Sequence, residues 1–183
     1  MKKRVYVLAA ALALGLGLSG CSGSSGAAKG ATETTAAGDL KGSEEDSQGN
    51  PSGFLFEANG VVMGMNEEVS PILSGLGEYS NYAETPSCAF QGLDKIYSYN
   101  GFDLYTYPKD DVDYVNSIYF IDESVSTPEG IHLGSAEEEM LAAYGEDYVE
   151  EFGVYTYTKE KSTLSFMVTD GVIESIEYVA ITE

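Results

Sequence analysis

The sequence predicts an α+β domain over residues 53–183. It consists of two helix-plus-antiparallel-hairpin repeat units that share one antiparallel sheet, with the helices on one face. Three observations carry this expectation. Short helical patterns with start and stop signals precede runs that alternate strictly between apolar and polar. Tight-turn sequences join the alternating runs. Three sequence blocks recur in the same order, defining units over about residues 54–125 and 131–183.

Taken in chain order, Phe54–Met63 reads as an added strand with a turn near Asn59-Gly60. Ser70-Pro71 supplies an N-cap and a first helical residue before the apolar stripe Ile72, Leu73 and Leu76, and Gly77 ends that helix. The connection Glu78–Ile96 is longer than a compact repeat requires. Phe102, Leu104 and Thr106 then point one way while Asp103, Tyr105 and Tyr107 point the other, with a turn at Pro108-Lys109-Asp110-Asp111. In the second unit, Ser135 and Glu138 have capping-box spacing, Met140, Leu141 and Tyr144 follow at helical spacing, and Gly145 stops the helix. Thr158-Lys159-Glu160-Lys161-Ser162 makes the next turn. Leu164, Phe166 and Val168 oppose Ser165, Met167 and Thr169, and Asp170-Gly171 turns the chain into Val172–Ile181.

The repeat rests on three alignments. Val62–Glu68 matches His132–Glu138, each leading to a glycine, Gly77 or Gly145. Leu104–Asp110 matches Val154–Glu160, and Val115–Ile121 matches Ile173–Val179. The unequal spacings place insertions in the connections, where loops tolerate them.

The N-terminus addresses the chain. Lys2-Lys3-Arg4 precedes an apolar run, Val5–Leu18, that is too short and glycine-rich to span a bilayer comfortably. Leu18-Ser19-Gly20-Cys21 closes it and resembles the lipobox of bacterial lipoproteins. That resemblance implies a signal peptide at 1–20, acyl chains on Cys21, and a protein held on the extracytoplasmic face of the cell membrane. Two acyl chains, at about 0.8 kcal/mol per buried methylene, anchor a protein stably. Residues 21–52 form a Gly/Ser/acidic tether with one Leu and no aromatic residue, too little apolar surface to offset chain entropy. Such a coil reaches on the order of 30 Å.

Charge excludes one class of partner. Residues 53–183 hold 25 acids against Lys95, Lys109, Lys159 and Lys161, and beyond Cys21 there is no arginine. That balance repels phosphate backbones, so no nucleic-acid partner is expected. With Cys21 committed to lipid, Cys88 has no partner for a disulfide, and its neighbours Ala89 and Phe90 predict a buried thiol.

Catalytic patterns are missing. The one histidine, His132, sits beside an apolar block, and no Gly-x-Ser-x-Gly, His-Glu-x-x-His or Walker loop occurs. No catalytic residues and no required cofactor are assigned. Asp110, Asp111 and Asp113 crowd one turn and are the candidate metal residues, with Ca2+ the cation such oxygens suit. Tyr97, Tyr99, Tyr105, Tyr107, Tyr155 and Tyr157 recur at period two. If helices cover one face of the sheet, these rings line the other, where aromatic hydroxyl-bearing side chains suit a protein or glycan partner.

The run apolar-x-apolar-Gly-Ser-x-Glu-Glu, then Tyr-Gly and strands, resembles the α+β repeats of β-lactamase-inhibitor-protein-like domains and of small outer-membrane assembly lipoproteins. The whole domain is also similar to uncharacterised lipoproteins of Gram-positive anaerobes, through Ser87-Cys88-Ala89-Phe90 and Thr127-Pro128-Glu129-Gly130-Ile131. The likeness implies a binding or assembly role. The expectation is therefore a membrane-anchored, noncatalytic binding module acting through an aromatic sheet face. A cation-responsive structural envelope protein is the alternative, and a hydrolase with an unrecognised carboxylate site stands third.

Overall fold

A computed structural model describes residues 53–182. The leader, Cys21 and the tether lie outside the described residues. The domain is mostly β: half of it is strand and 12% is helix. This corrects the expected α+β repeat of helix-plus-hairpin units. The two helices, α1 (Val69–Leu76) and α2 (Glu137–Tyr144), have eight residues each, too short to form a layer of their own.

The strands are β1 (Leu55–Ala58), β2 (Val61–Gly64), β3 (Asn81–Pro86), β4 (Leu93–Ser98), β5 (Phe102–Lys109), β6 (Val112–Phe120), β7 (Val149–Glu151), β8 (Val154–Lys159), β9 (Ser162–Thr169) and β10 (Val172–Ala180). β1 and β2 make a separate hairpin. The other eight form one antiparallel sheet in the order β3-β4-β5-β6-β10-β9-β8-β7. The connection 78–96 thus contains strand β3 and most of β4. Turn chemistry explains much of the meander. Asn59-Gly60 and Asp170-Gly171 both take positive φ at each central position, the geometry that matches strand twist.

The sheet joins at its centre through only three residue pairs, Glu177↔Tyr119, Tyr178↔Ile118 and Val179↔Ser117. Beyond them β6 and β10 diverge, and the segments leading into the helices supply the missing partners. The Asn66 N–H donates to the Val115 carbonyl and the Val115 N–H to Glu67. On the other strand, the Gly134 N–H donates to Ile173 and the Ile173 N–H to Ser135. Asn66 and Gly134 make this approach in the left-handed region, at φ 65° and 89°.

Two of the three sequence alignments therefore slip. Asn66, not Gly64, takes the position equivalent to Gly134, the one bonding Val115 as the other bonds Ile173. β5 adjoins a central strand, whereas β8 lies one strand further out. Only Val115–Ile121 and Ile173–Val179 coincide, on the two central strands. A period-two pattern marks a strand without saying where in the sheet it lies.

One face of the sheet is buried. Phe102, Leu104, Ile118, Phe120, Leu164, Phe166, Ile176 and Tyr178 form it, and Phe56 of β1, Met63 of β2, Ile72 of α1 and Met140 of α2 close over it. Helix ends differ from expectation by one or two residues. Glu68 and Ala136 are the N-caps, Pro71 falls within the first turn, and Glu139 rather than Glu138 accepts the N-cap N–H, at 3.0 Å. Gly77 and Gly145 end the helices at φ 79° and 80°, donating back to Leu73 and Leu141.

Candidate functional site

The six tyrosines do not share one open face. Tyr97, Tyr155 and Tyr157 stand opposite Leu104, Phe166 and Leu164 and so face the covered side. Tyr99 stacks on Phe102, with centroids 5.2 Å apart. Tyr97, Tyr99, Tyr107 and Tyr157 are buried. Tyr105 projects to the opposite face, half-buried between Asp103, Tyr119 and Glu177. The reason is the excess of apolar surface: the covered face takes the tyrosine rings into its rim and lets their hydroxyls find partners. The Tyr157 hydroxyl donates to the Gly145 carbonyl at 2.9 Å, and that of Tyr155 donates to Glu137 at the start of α2.

Tyr107 belongs to a different arrangement. It pairs across the β5–β6 hairpin with Tyr114, and the loop 87–92 brings Phe90 against its other side. Centroid separations are 4.9 Å for Phe90–Tyr107 and 5.7 Å for Tyr107–Tyr114, with interplanar angles of 30° and 26°. This is an offset column of three rings. Ser87 holds the loop closed: its N–H donates to the Gly92 carbonyl and its hydroxyl accepts from the Phe90 N–H. Gly92, at φ 129°, lies where a Cβ would sit 2.9 Å from Pro108, so only glycine lets the loop come this close.

The column lines a cleft of about 200 Å³ together with Asn66, Lys109 and Lys161. The Tyr107 hydroxyl donates to Asn66 Oδ1 at 3.0 Å, and Asn66 Nδ2 donates to the Lys161 carbonyl at 3.1 Å. Asn66 is thereby fixed at both ends. Burial raises the Tyr107 pKa, so its hydroxyl remains a neutral donor at physiological pH. Two of the domain's four lysines converge on this one cleft.

The aspartates are not gathered into a metal site. Asp110 and Asp111 occupy the two left-handed positions of the β5–β6 turn, at φ 53° and 64°, and are exposed to solvent. Asp113 forms an ion pair with Lys95, whose pKa the carboxylate raises. Among the described residues no group of three or more His, Cys, Asp or Glu side chains is placed to hold an ion. Cys88 is exposed, not buried, because it rides on the tip of the 87–92 loop while Phe90 turns inward. His132 is exposed, with Nδ1 2.8 Å from the Leu133 carbonyl oxygen.

A second cleft, of about 310 Å³, lies between the β1–β2 hairpin, α2 and β10. Phe54, Phe56 and Val62 give it apolar walls, Tyr144 and Tyr178 bring hydroxyls, and Glu129 accepts a short hydrogen bond from Tyr144. Among the described residues no helix is long and apolar enough to cross a membrane. No family model, no curated protein and no solved structure matches the chain significantly.

Sequence reading singled out Tyr107 as a binding residue but not Asn66, Phe90, Lys109, Tyr114 or Lys161 as its company. Asn66 carried a local signal, since asparagine favours the left-handed region. Phe90 carried none, being a lone aromatic residue in a loop.

Proposed function

We propose that this chain is a lipid-anchored extracytoplasmic binding module that holds a glycan partner without catalysis. The Lys-Lys-Arg start, the apolar run and Leu18-Ser19-Gly20-Cys21 support the anchor and the location. The Phe90–Tyr107–Tyr114 column flanked by Lys109 and Lys161 carries the binding reading. Aromatic faces offer flat apolar surface to a sugar ring, the lysines offer charge to a carboxylate or phosphate, and a held Asn66 offers an amide. In a domain of formal charge −21 the pairing of two lysines with three rings favours an anionic sugar over a neutral one.

Calorimetric titration with polygalacturonate, against neutral dextran, tests the cleft. Saturable binding of the acidic polymer alone is expected, weakened about tenfold or more by Lys109→Glu, since losing a charged contact costs ~1.5–3 kcal/mol. Equal binding of both polymers, or an unaltered Lys109→Glu variant, refutes the assignment. Membrane fractionation of Cys21→Ala tests the anchor, with release into the soluble fraction expected.

A further inference from the structure

We propose that the outer edge of β3 is a docking site for a protein partner, which adds an extended, lysine- or arginine-bearing segment to the sheet as a ninth strand. The two edges of the sheet differ. β7 has three residues, whereas β3 has six, all exposed, and among the described elements β3 pairs with β4 alone. An open edge of that length offers unpaired N–H and C=O groups, and proteins usually shorten or cover such edges. The ladder identifies the free groups. The Tyr99 N–H donates to the Phe102 carbonyl, so the odd residues of β4 bond to β5 and the even ones to β3. The Ser87 N–H donates to the Gly92 carbonyl, which puts the odd residues of β3 on the β4 side. Tyr82 and Glu84 therefore turn their backbone groups outward. Pro86 has the same parity, a position where a missing N–H removes no ladder bond.

Side chains choose the partner. Tyr79 and Tyr82, 46% and 39% exposed, pack on Tyr97 with centroids 5.2 Å from its ring and 5.9 Å from each other. These rings give the edge an apolar shelf, beside which Glu84 accepts from the Tyr82 hydroxyl. On an antiparallel partner strand, the residue facing Glu84 is basic. Two positions later, the residue facing Tyr82 is aromatic or aliphatic. A formal charge of −21 favours such a segment and sets a second copy of this chain against itself.

The test is a chemical-shift titration of the mature chain carrying Cys21→Ser. The probe is the end-blocked pentapeptide Thr-Lys-Val-Phe-Thr, whose lysine faces Glu84 and whose phenylalanine faces Tyr82. Saturable shifts are expected at the amides of Tyr82 and Glu84. Replacing the peptide's lysine with glutamate should weaken binding about fivefold or more. Methylating the lysine amide, which bonds to Glu84, should weaken it about tenfold, whereas methylating the valine amide, which points away, should change little. Glu84→Pro should abolish binding and keep a melting temperature near that of wild type, because its N–H bonds to nothing in the sheet. The two methylations leave the protein unaltered, so they decide even where this variant does not fold. No saturable shift at these two amides, or equal effects of the two methylations, overturns the proposal. A dimer in sedimentation that Glu84→Pro dissociates would show a second copy on this edge and overturn it as well.

Discussion

Phe56 of the small hairpin meets Phe102 of the large sheet edge to face, with ring centroids 5.1 Å apart and planes at 75°. Phe120 and Tyr178 complete the ring cluster around it, at 5.0 and 5.9 Å. A two-stranded hairpin is marginal by itself, so this one ring fastens β1–β2 to the rest of the domain. Phe56→Ala should lower stability by ~3–5 kcal/mol. Urea unfolding measures this, and a loss under about 1 kcal/mol would show that the hairpin is not fastened there.

Phe152 occupies the first turn position between β7 and β8 at φ 54°, followed by Gly153 at φ 82°. Its side chain is fully exposed. A left-handed conformation costs an ordinary L-residue ~1–2 kcal/mol, and no burial offsets that cost. Phe152→Asn, giving the Asn-Gly pair such turns prefer, should raise the thermal midpoint. An unchanged or lower midpoint contradicts the strain.

Glu177 lies half-buried on the uncovered face, and desolvation raises its pKa above the usual carboxylate value. A raised folded-state pKa means that stability is fullest below the unfolded carboxylate pKa and is lost as pH rises through the folded one. Glu177→Gln should therefore be more stable than wild type at pH 7, with the difference vanishing near pH 3. A pH series of melting curves on both proteins decides it; a constant difference across pH contradicts desolvation as the cause.

The hydrogen bond to Glu137 raises the Tyr155 pKa to about 12. Its stabilising effect is whole below the unfolded tyrosine pKa near 10 and is lost as pH rises through 12. Wild type should lose stability relative to Tyr155→Phe over that interval. Parallel stability curves for the two proteins between pH 10 and 12 would argue against the coupling.

Exposure of Cys88 on the 87–92 loop makes its thiol accessible without unfolding. An aromatic disulfide reagent should titrate one equivalent in the folded Cys21→Ser variant. A reaction that waits for denaturant would place the thiol inside after all.

Much of the local architecture was legible in the residues. Asn59-Gly60, Asp170-Gly171, Gly77 and Gly145 announced turns and helix ends because left-handed backbone is a property of single residues. Alternation along Phe102–Tyr107 and Leu164–Thr169 announced strands because successive side chains in a strand must point to opposite faces. Of the first cleft, Tyr107 alone stood out as a binding residue. Its company comes from the β2–α1 connection, loop 87–92, the end of β5, β6 and the turn into β9, and no local pattern links these segments.

The amino-acid order alone determined where the glycine-marked turns fall, that the strictly alternating stretches extend and how acidic the domain is, since each depends on a residue and its near neighbours. Tertiary structure alone decided that eight strands form one sheet and that β6 meets β10 through three pairs. It also turned Tyr97 and Tyr157 inward and stacked Tyr107 against Phe90. Those outcomes depend on which strands become neighbours. Alternating patterns are interchangeable between strands, and long-range packing chooses among them.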